Sequence, residues 1–380
     1  MKWLIFFLIF PQLKPDCLEN LWPNIDMVFD VGRILSLFIV IVLFMMKKRI
    51  PTLPVWIIFV LEGIIIFSTL INDGDVIHAI LWAGAILALL CIIDFFSTWP
   101  QKLIGALMLN LEWLIYFNLF SILAYPDGMY IRDGAGHYFL GYRNGFFRYV
   151  LLALCVGILY ARYKGTWIRS FSLIAAGIIS IILTWSATSF SALLLIGVLM
   201  LLSSHKFRNW FSYTKMLSVM LIADLLISVF RVMDRSVWIA WAIERALRRQ
   251  ITLTGRIFIW DQFYELFAAN PIWGYGVGLH ISVFSRPMTA HNQYFNFLLI
   301  GGVFSLILFM IFMLIIGKKL DRYHEYSSSY LFISVLAGLY MIFIAEAYNN
   351  SPIVYAIMMM AYKIDKFSMV PEFRYLKSQK

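Results

Sequence analysis

Apolar stretches about as long as a bilayer is thick recur along this chain, and they decide most of what it can fold into. A membrane-crossing helix needs about 17–25 mostly apolar residues. Runs that reach or approach this lie at 1–13, 29–46, 54–71, 76–93, 103–124, 149–162, 167–185, 189–203, 216–232, 292–316, 330–347 and 351–363. Lipid offers no partner to a free N–H or C=O, so such segments close their hydrogen bonds internally, as helices. The expectation is an all-α, polytopic transmembrane helical bundle of about 12 spans, one integral-membrane domain over 1–380. Composition agrees: 62% of residues are apolar and 14% charged, where a soluble domain has roughly 25% charged. A net charge of +10 in so apolar a chain points to anionic membrane lipid and not to nucleic acid. Cys17, Cys91 and Cys155 are too scattered for a disulfide framework or a metal cluster. The opening "MKWLIFFLIF" has the look of a signal-peptide core but no small-residue cleavage site, so it reads as a short first span or a re-entrant segment.

Lysines and arginines between the runs set the orientation. With twelve spans, "MMKKRIP", "WPQK", "ARYKGTWIR", "SHKFRNWFSYTK", "GKKLDRYHE" and the tail all fall on one side, read as cytoplasmic, with both termini. On the other side Lys14 is the only lysine, whereas Arg132, Arg143, Arg148, Arg235, Arg245, Arg248, Arg249, Arg256 and Arg286 are all there. A rule of charge alone would exclude both residue types equally. Arginine's planar fork grips phosphate oxygens bidentately and stays charged in a half-dry site. The set therefore points to an anionic, phosphate-bearing ligand on the outer face. The alternative for any single arginine is contact with lipid phosphate or pairing with Asp133, Asp234 or Glu244.

Two external loops hold the polar mass: 125–148, rich in glycine and tyrosine, and 233–290, between spans nine and ten. In the second, "SVWIAWAIERALRRQ" reads as an amphipathic helix. "TLTGRIFIWDQFYELFAANP" reads as another, with Thr254 as N-cap, a stripe of Ile259, Phe263 and Phe267, and Asn270-Pro271 as its stop. "GYGVG" follows, a turn whose glycines let backbone come close to a ligand. Arg256 falls near a helix N-terminus, a reasonable anion site, or else it is an ordinary surface arginine. His291 opens the next run, where an imidazole can take a proton from a hydroxyl, or else merely hydrogen-bond a helix start. No second histidine stands at zinc-ligand spacing from it. No GxxxxGK[ST] or GxGxxG nucleotide motif occurs. Glu62, Glu112, Asp224 and Glu346 are the carboxylates within or beside the spans. Glu346 sits at an outer lip and could share a cavity with His291, whereas Glu112 and Asp224 are expected to pair with neighbouring helices.

Gly255-Arg256, Trp260, Asn270-Pro271, Gly274, Gly276 and Gly278, then His291-Asn292 and Gly301-Gly302, form an ordered series over some fifty residues. The series resembles the O-antigen ligase and polymerase superfamily, integral-membrane glycosyltransferases that include Wzy-type polysaccharide polymerases. Upstream, "YRNGFFRY" and "LTWSATSFSALL" are similar to that family's arginine segment and serine-rich turn. Two departures stand out. Phe147-Arg148-Tyr149 replaces an asparagine-proline-asparagine run, and the serine-rich turn lacks an arginine. That leans towards a capsule or exopolysaccharide polymerase and away from the ligase branch.

The resemblance implies a metal-independent, inverting glycosyltransferase without cofactor in the bacterial cytoplasmic membrane, taking undecaprenyl-pyrophosphate-linked oligosaccharides. His291 would be the general base. Arg256 and Arg143, with Arg148, Arg248 or Arg249 supplying the missing cation, would bind pyrophosphate, and Asn292, Tyr275 and Glu346 would touch acceptor or sugar. Chain-length regulator and flippase proteins are the implied protein partners. The rival readings are an O-antigen ligase acting on a lipid core and a lipid-linked oligosaccharide transporter, which should show two similar halves and broken helices. No such half-to-half similarity is visible.

Overall fold

The computed structural model describes residues 1–22, 24–132, 134–202, 212–231, 256–278, 281–283 and 286–368. The first half holds α1 (Lys2–Ile9) with a 3-10 turn (Phe10–Leu13), α2 (Leu18–Leu21), α3 (Ile25–Met46), α4 (Leu53–Ile71), α5 (Val76–Phe96), α6 (Pro100–Ala124), α7 (Phe147–Lys164) and α8 (Ile168–Thr184). Then come α9 (Ala187–Leu202), α10 (Tyr213–Asp224) running into a widened π turn (Leu225–Val229), α11 (Arg256–Ala269), α12 (Gln293–Arg322), α13 (Ser327–Phe343), α14 (Pro352–Tyr362) and α15 (Ile364–Phe367). Among the described residues, strand is confined to two small antiparallel pieces. One is a meander of β1 (Tyr130–Arg132), β2 (Ala135–Tyr138) and β3 (Gly141–Tyr142); the other is a hairpin of β4 (Ile281–Val283) and β5 (Arg286–Met288).

Local chemistry explains the helix ends. Proline sits at the start of α4, α6 and α14, where its missing N–H costs nothing. Asp75 accepts from the His78 N–H to cap α5, and left-handed Gly165 closes α7.

Five helices, α3, α4, α5, α6 and α12, are long and apolar enough to cross a bilayer. The twelve apolar runs thus give five helices of spanning length among the described residues. The rest include shorter helices, for a physical reason seen in α14. Its 11 residues reach only about 16 Å, roughly half the hydrocarbon thickness. It needs no more, because Ile353 to Ala361 are buried against protein, not lipid. The periphery is the reverse: Met27, Val31 and Phe38 on α3 are more than half exposed, while Phe29, Val40 and Phe44 face inward. So much outward apolar surface suits lipid and not water. The chain is a multi-pass membrane protein.

Connectors as short as 72–75, 97–99 and 185–186 force consecutive helices to run antiparallel. Contacts then sort the loops between two ends. At one end Thr52 and Lys363 both bond Asp94, Lys319 pairs with Asp365 at 3.1 Å, Arg162 donates to Ser328 and Tyr163 to the Phe367 carbonyl. At the other, Tyr149 donates to the Lys14 carbonyl, Asp75 N to Val277, and Asn144 to Glu346. The first end carries most of the described lysines, and both described termini lie there.

Arg132, expected to pair with Asp133 or another loop acid if it paired at all, instead joins a clasp at the second end. It bonds Glu19 at 2.7 Å and approaches Asp16 at 3.6 Å, while Lys14 bonds Glu19 at 2.6 Å and also Asp26. Burial pushes the Glu19 carboxyl up, but its bonds from Lys14 and Arg132 outweigh that and hold it below its ordinary value. A depressed carboxyl stabilises at pH above its unfolded value and loses that contribution as pH falls through the folded one. The clasp should therefore be intact at pH 7 and open below the carboxylate range. Amide exchange across 14–22 and 130–142 should accelerate on acidification, and Glu19→Gln should remove most of that pH step. An identical step in the variant would show that Glu19 does not carry it.

Candidate active site

Four segments far apart in sequence meet at the second end of the bundle. His291 precedes α12 in a left-handed conformation, φ 47°, that non-glycine residues rarely adopt. It is held there from both sides. Asn292 is fully buried, its Oδ1 accepting from the Tyr294 and Phe295 N–H groups to cap α12, its Nδ2 donating to Asp224 at 2.7 Å. Ala290 accepts from Trp260 Nε1 at 3.1 Å, and Phe263 of α11 stacks on Phe295 at 4.0 Å.

The imidazole Nδ1 lies 3.2 Å from Glu346 Oε2. The other oxygen, Oε1, accepts from Asn144 Nδ2 at 2.8 Å. Asn144 Oδ1 accepts from Ser186 Oγ at 2.7 Å, and Ser186 is 2.8 Å from Ser189 Oγ. Tyr348 OH donates to the Asn144 carbonyl at 2.6 Å, and its own N–H bonds Gln293. An ionised carboxylate only accepts, so with Glu346 ionised and His291 neutral the hydrogen stands on Nδ1 and the lone pair on Nε2. That is the tautomer a general base needs.

Cationic groups flank this chain of bonds. The Arg148 guanidinium lies 5.7 Å from the Tyr348 ring and 5.6 Å from that of Tyr149. Its buried Nε has no hydrogen-bond partner, and no acid pairs with it among the described residues. It also occupies the second position of α7, an N-terminus without a side-chain cap, where the helix dipole disfavours a cation. An anion would satisfy both the guanidinium and the free N–H groups. Arg143, next to Asn144, stacks on Tyr142 at 5.4 Å and donates to its hydroxyl at 3.1 Å.

Other expectations fall elsewhere. Arg256 is the first residue of α11. Arg249, Thr254 and the segment read as an amphipathic helix lie outside the described residues. Asn292 and Tyr275 were expected at a sugar but are committed to the protein: the Tyr275 hydroxyl donates to the Leu266 carbonyl at 2.9 Å. Glu346, also expected at acceptor or sugar, lies against His291 and Asn144. Glu112 pairs with Arg169 of α8.

The glycine-rich turn approaches backbone of the chain itself. α12 breaks at Gly302 (φ 63°, ψ −163°). Tyr275 N donates to Leu299 O at 2.6 Å, Gly276 N to Ile300 O at 3.2 Å, and Val303 N to Pro271 O at 3.0 Å. The break is thus closed by protein. Missed from sequence were Asn144, Ser186, Ser189 and Tyr348. The first three lie inside stretches already singled out and Tyr348 two positions beyond Glu346, but nothing in their spacing links them.

A family model described as O-antigen ligase matches residues 171–310. The match takes in Ser186, Ser189, Trp260 and His291, and leaves Asn144 and Glu346 on either side. Comparison with curated proteins gives no match.

Proposed function

We propose that the chain polymerises lipid-linked oligosaccharide repeat units, a reading supported by the match of residues 171–310 to a family model described as O-antigen ligase. The growing glycan moves from a polyprenyl (undecaprenyl) pyrophosphate to the acceptor sugar of a second lipid-linked unit, at the outer face of a bacterial cytoplasmic membrane. The observation that carries this reading is His291 Nδ1 at 3.2 Å from Glu346, with Arg148, whose buried Nε lacks a partner, over the Tyr348 ring of the same network.

In this reading His291 Nε2 takes the acceptor hydroxyl proton as the oxygen attacks the anomeric carbon. The bond from that carbon to the phosphate oxygen breaks, and its electrons leave with the pyrophosphate. Arg148 and Arg143, with Arg256 from the start of α11, meet the charge that gathers there. Attack opposite the leaving group inverts the anomeric centre, and no step calls for a metal. Both substrates are held in one plane by their lipid tails, which raises their encounter frequency.

The ligase reading keeps the same chemistry with a lipid core as acceptor. The transporter reading is favoured by the break in α12, but the carbonyls freed there accept from Tyr275 and Gly276 and offer no open ion site.

Purified protein given undecaprenyl-pyrophosphate-linked repeat units, without an ion gradient, should yield a ladder of polymer. Arg148→Ala should lower its rate by roughly 10²-fold, the scale of one lost charge-stabilising donor. Movement of repeat units across vesicles with no change in chain length would assign transport. Transfer only to a lipid core would assign the ligase.

A further inference from the structure

At the lysine-rich end of the bundle, α1, α6 and α7 enclose a cleft of about 180 Å³ lined by Lys2, Lys102, Lys164, Gln101, Tyr160 and Tyr163. It is at the end of the molecule opposite His291. Its three ammonium groups have no ion pair among the described residues. The acid nearest in the hydrogen-bond network, Glu112, is taken by Arg169. Like charges that converge on one cleft repel unless an anion joins them.

The cleft is shaped for its lysines. Lys2 is half-buried, and its stem lies over Gly105, where an added Cβ would stand only 3.3 Å from Lys2 Cε. Lys102 sits in the first turn of α6, whose N-terminus has no side-chain cap. A cation there opposes the helix dipole, and an anion would neutralise the cation and complement the dipole together. Tyr160 OH accepts from Arg169 at 3.2 Å, which leaves its own hydrogen to donate.

We propose that this cleft binds a phosphate group, that of an anionic phospholipid headgroup. Three ammonium groups and one hydroxyl donor match a phosphate's oxygens. α1, one wall of the cleft, also turns Trp3, Leu4 and Phe7 outward from the bundle. Basic pockets between membrane helices take such headgroups by this chemistry.

The test uses the full chain in neutral detergent, with phosphatidylglycerol or phosphatidylcholine added, read by native mass spectrometry and by melting temperature. Phosphatidylglycerol should be retained and should raise the melting temperature, and phosphatidylcholine should do neither. Lys2→Gln/Lys102→Gln/Lys164→Gln should weaken retention roughly tenfold or more. Lys47→Gln/Lys48→Gln, with loss of two charges at the same end but outside the cleft, should retain lipid as the native chain does. The exposed single variant Lys164→Gln gives the same reading at smaller amplitude if the triple variant folds poorly. In a separate arm, inorganic phosphate that protects the native chain but not the variant would establish the phosphate site with a free anion as its source. Equal retention by native and cleft variants, or equal retention of the two lipids, would overturn the proposal.

Discussion

His291→Ala is expected to lower transfer by about 10²–10⁴-fold, the span of a lost general base, while the protein still inserts and melts normally. The loss should fall on kcat and not on KM, because the imidazole acts on the reacting hydroxyl and not on the lipid pyrophosphate. Glu346→Gln gives the sharper result. An ionised carboxylate 3.2 Å from Nδ1 can only accept from it, whereas an amide can donate to it. That would move the imidazole hydrogen to Nε2 and leave no lone pair for the acceptor, although shape and size barely change. Glu346→Gln should therefore approach the damage of His291→Ala. Glu346→Asp, which keeps the charge but shortens the reach, should fall between. Added imidazole should restore part of the activity of His291→Gly and none to Arg148→Ala. Should His291→Ala keep more than a tenth of native turnover, the general-base role is gone.

How much of this was legible beforehand differs by element, and for physical reasons. Helical membrane character was visible because the runs follow from the bilayer's demand for internal hydrogen bonding. Span number was not, because hydropathy cannot tell a lipid-facing helix from one like α14, enclosed by other helices. His291 stood out as a titratable group beside an apolar run, and Glu346 as a carboxylate at a lip. The links between them did not. Asn144 and Glu346 are 202 positions apart, and Asn144 and Ser186 are 42. Such contacts exist only once α7, α9 and α12 have packed. Arg132 shows the same limit, since its acids, Asp16 and Glu19, come from the other side of four helices. The glycines announced that something comes close, but a positive φ does not say what.

Gly302→Ala should be the most destabilising single methyl in the molecule. Its φ of 63° with ψ of −163° belongs to a region open almost only to glycine, with strain of about 1–3 kcal/mol for other residues. An added Cβ would stand 2.0 Å from Ile272 O and 2.7 Å from Trp273 N. Backbone cannot swing aside as a side chain can, so overpacking adds about 1–3 kcal/mol more. Gly274 and Gly276 are strained likewise, with Cβ positions 2.4 Å from Leu299 O and 2.2 Å from Thr69 Cα. Gly63→Ala and Gly197→Ala are the matched controls: nothing lies within 4 Å of a Cβ at either helical position, so they should be neutral or slightly stabilising. The measurement is folded yield and melting temperature in detergent, with equal values for Gly302→Ala and Gly63→Ala counting against the account. The effect should also reach the site. The break aims the short first part of α12, with His291 before it, and the loop bonded into the break leads back to α11 and Arg256. Closing that notch with a methyl should therefore shift His291 relative to α11, whose Trp260 bonds Ala290 beside it. Any Gly302→Ala protein that does fold should lose turnover well beyond its lost stability.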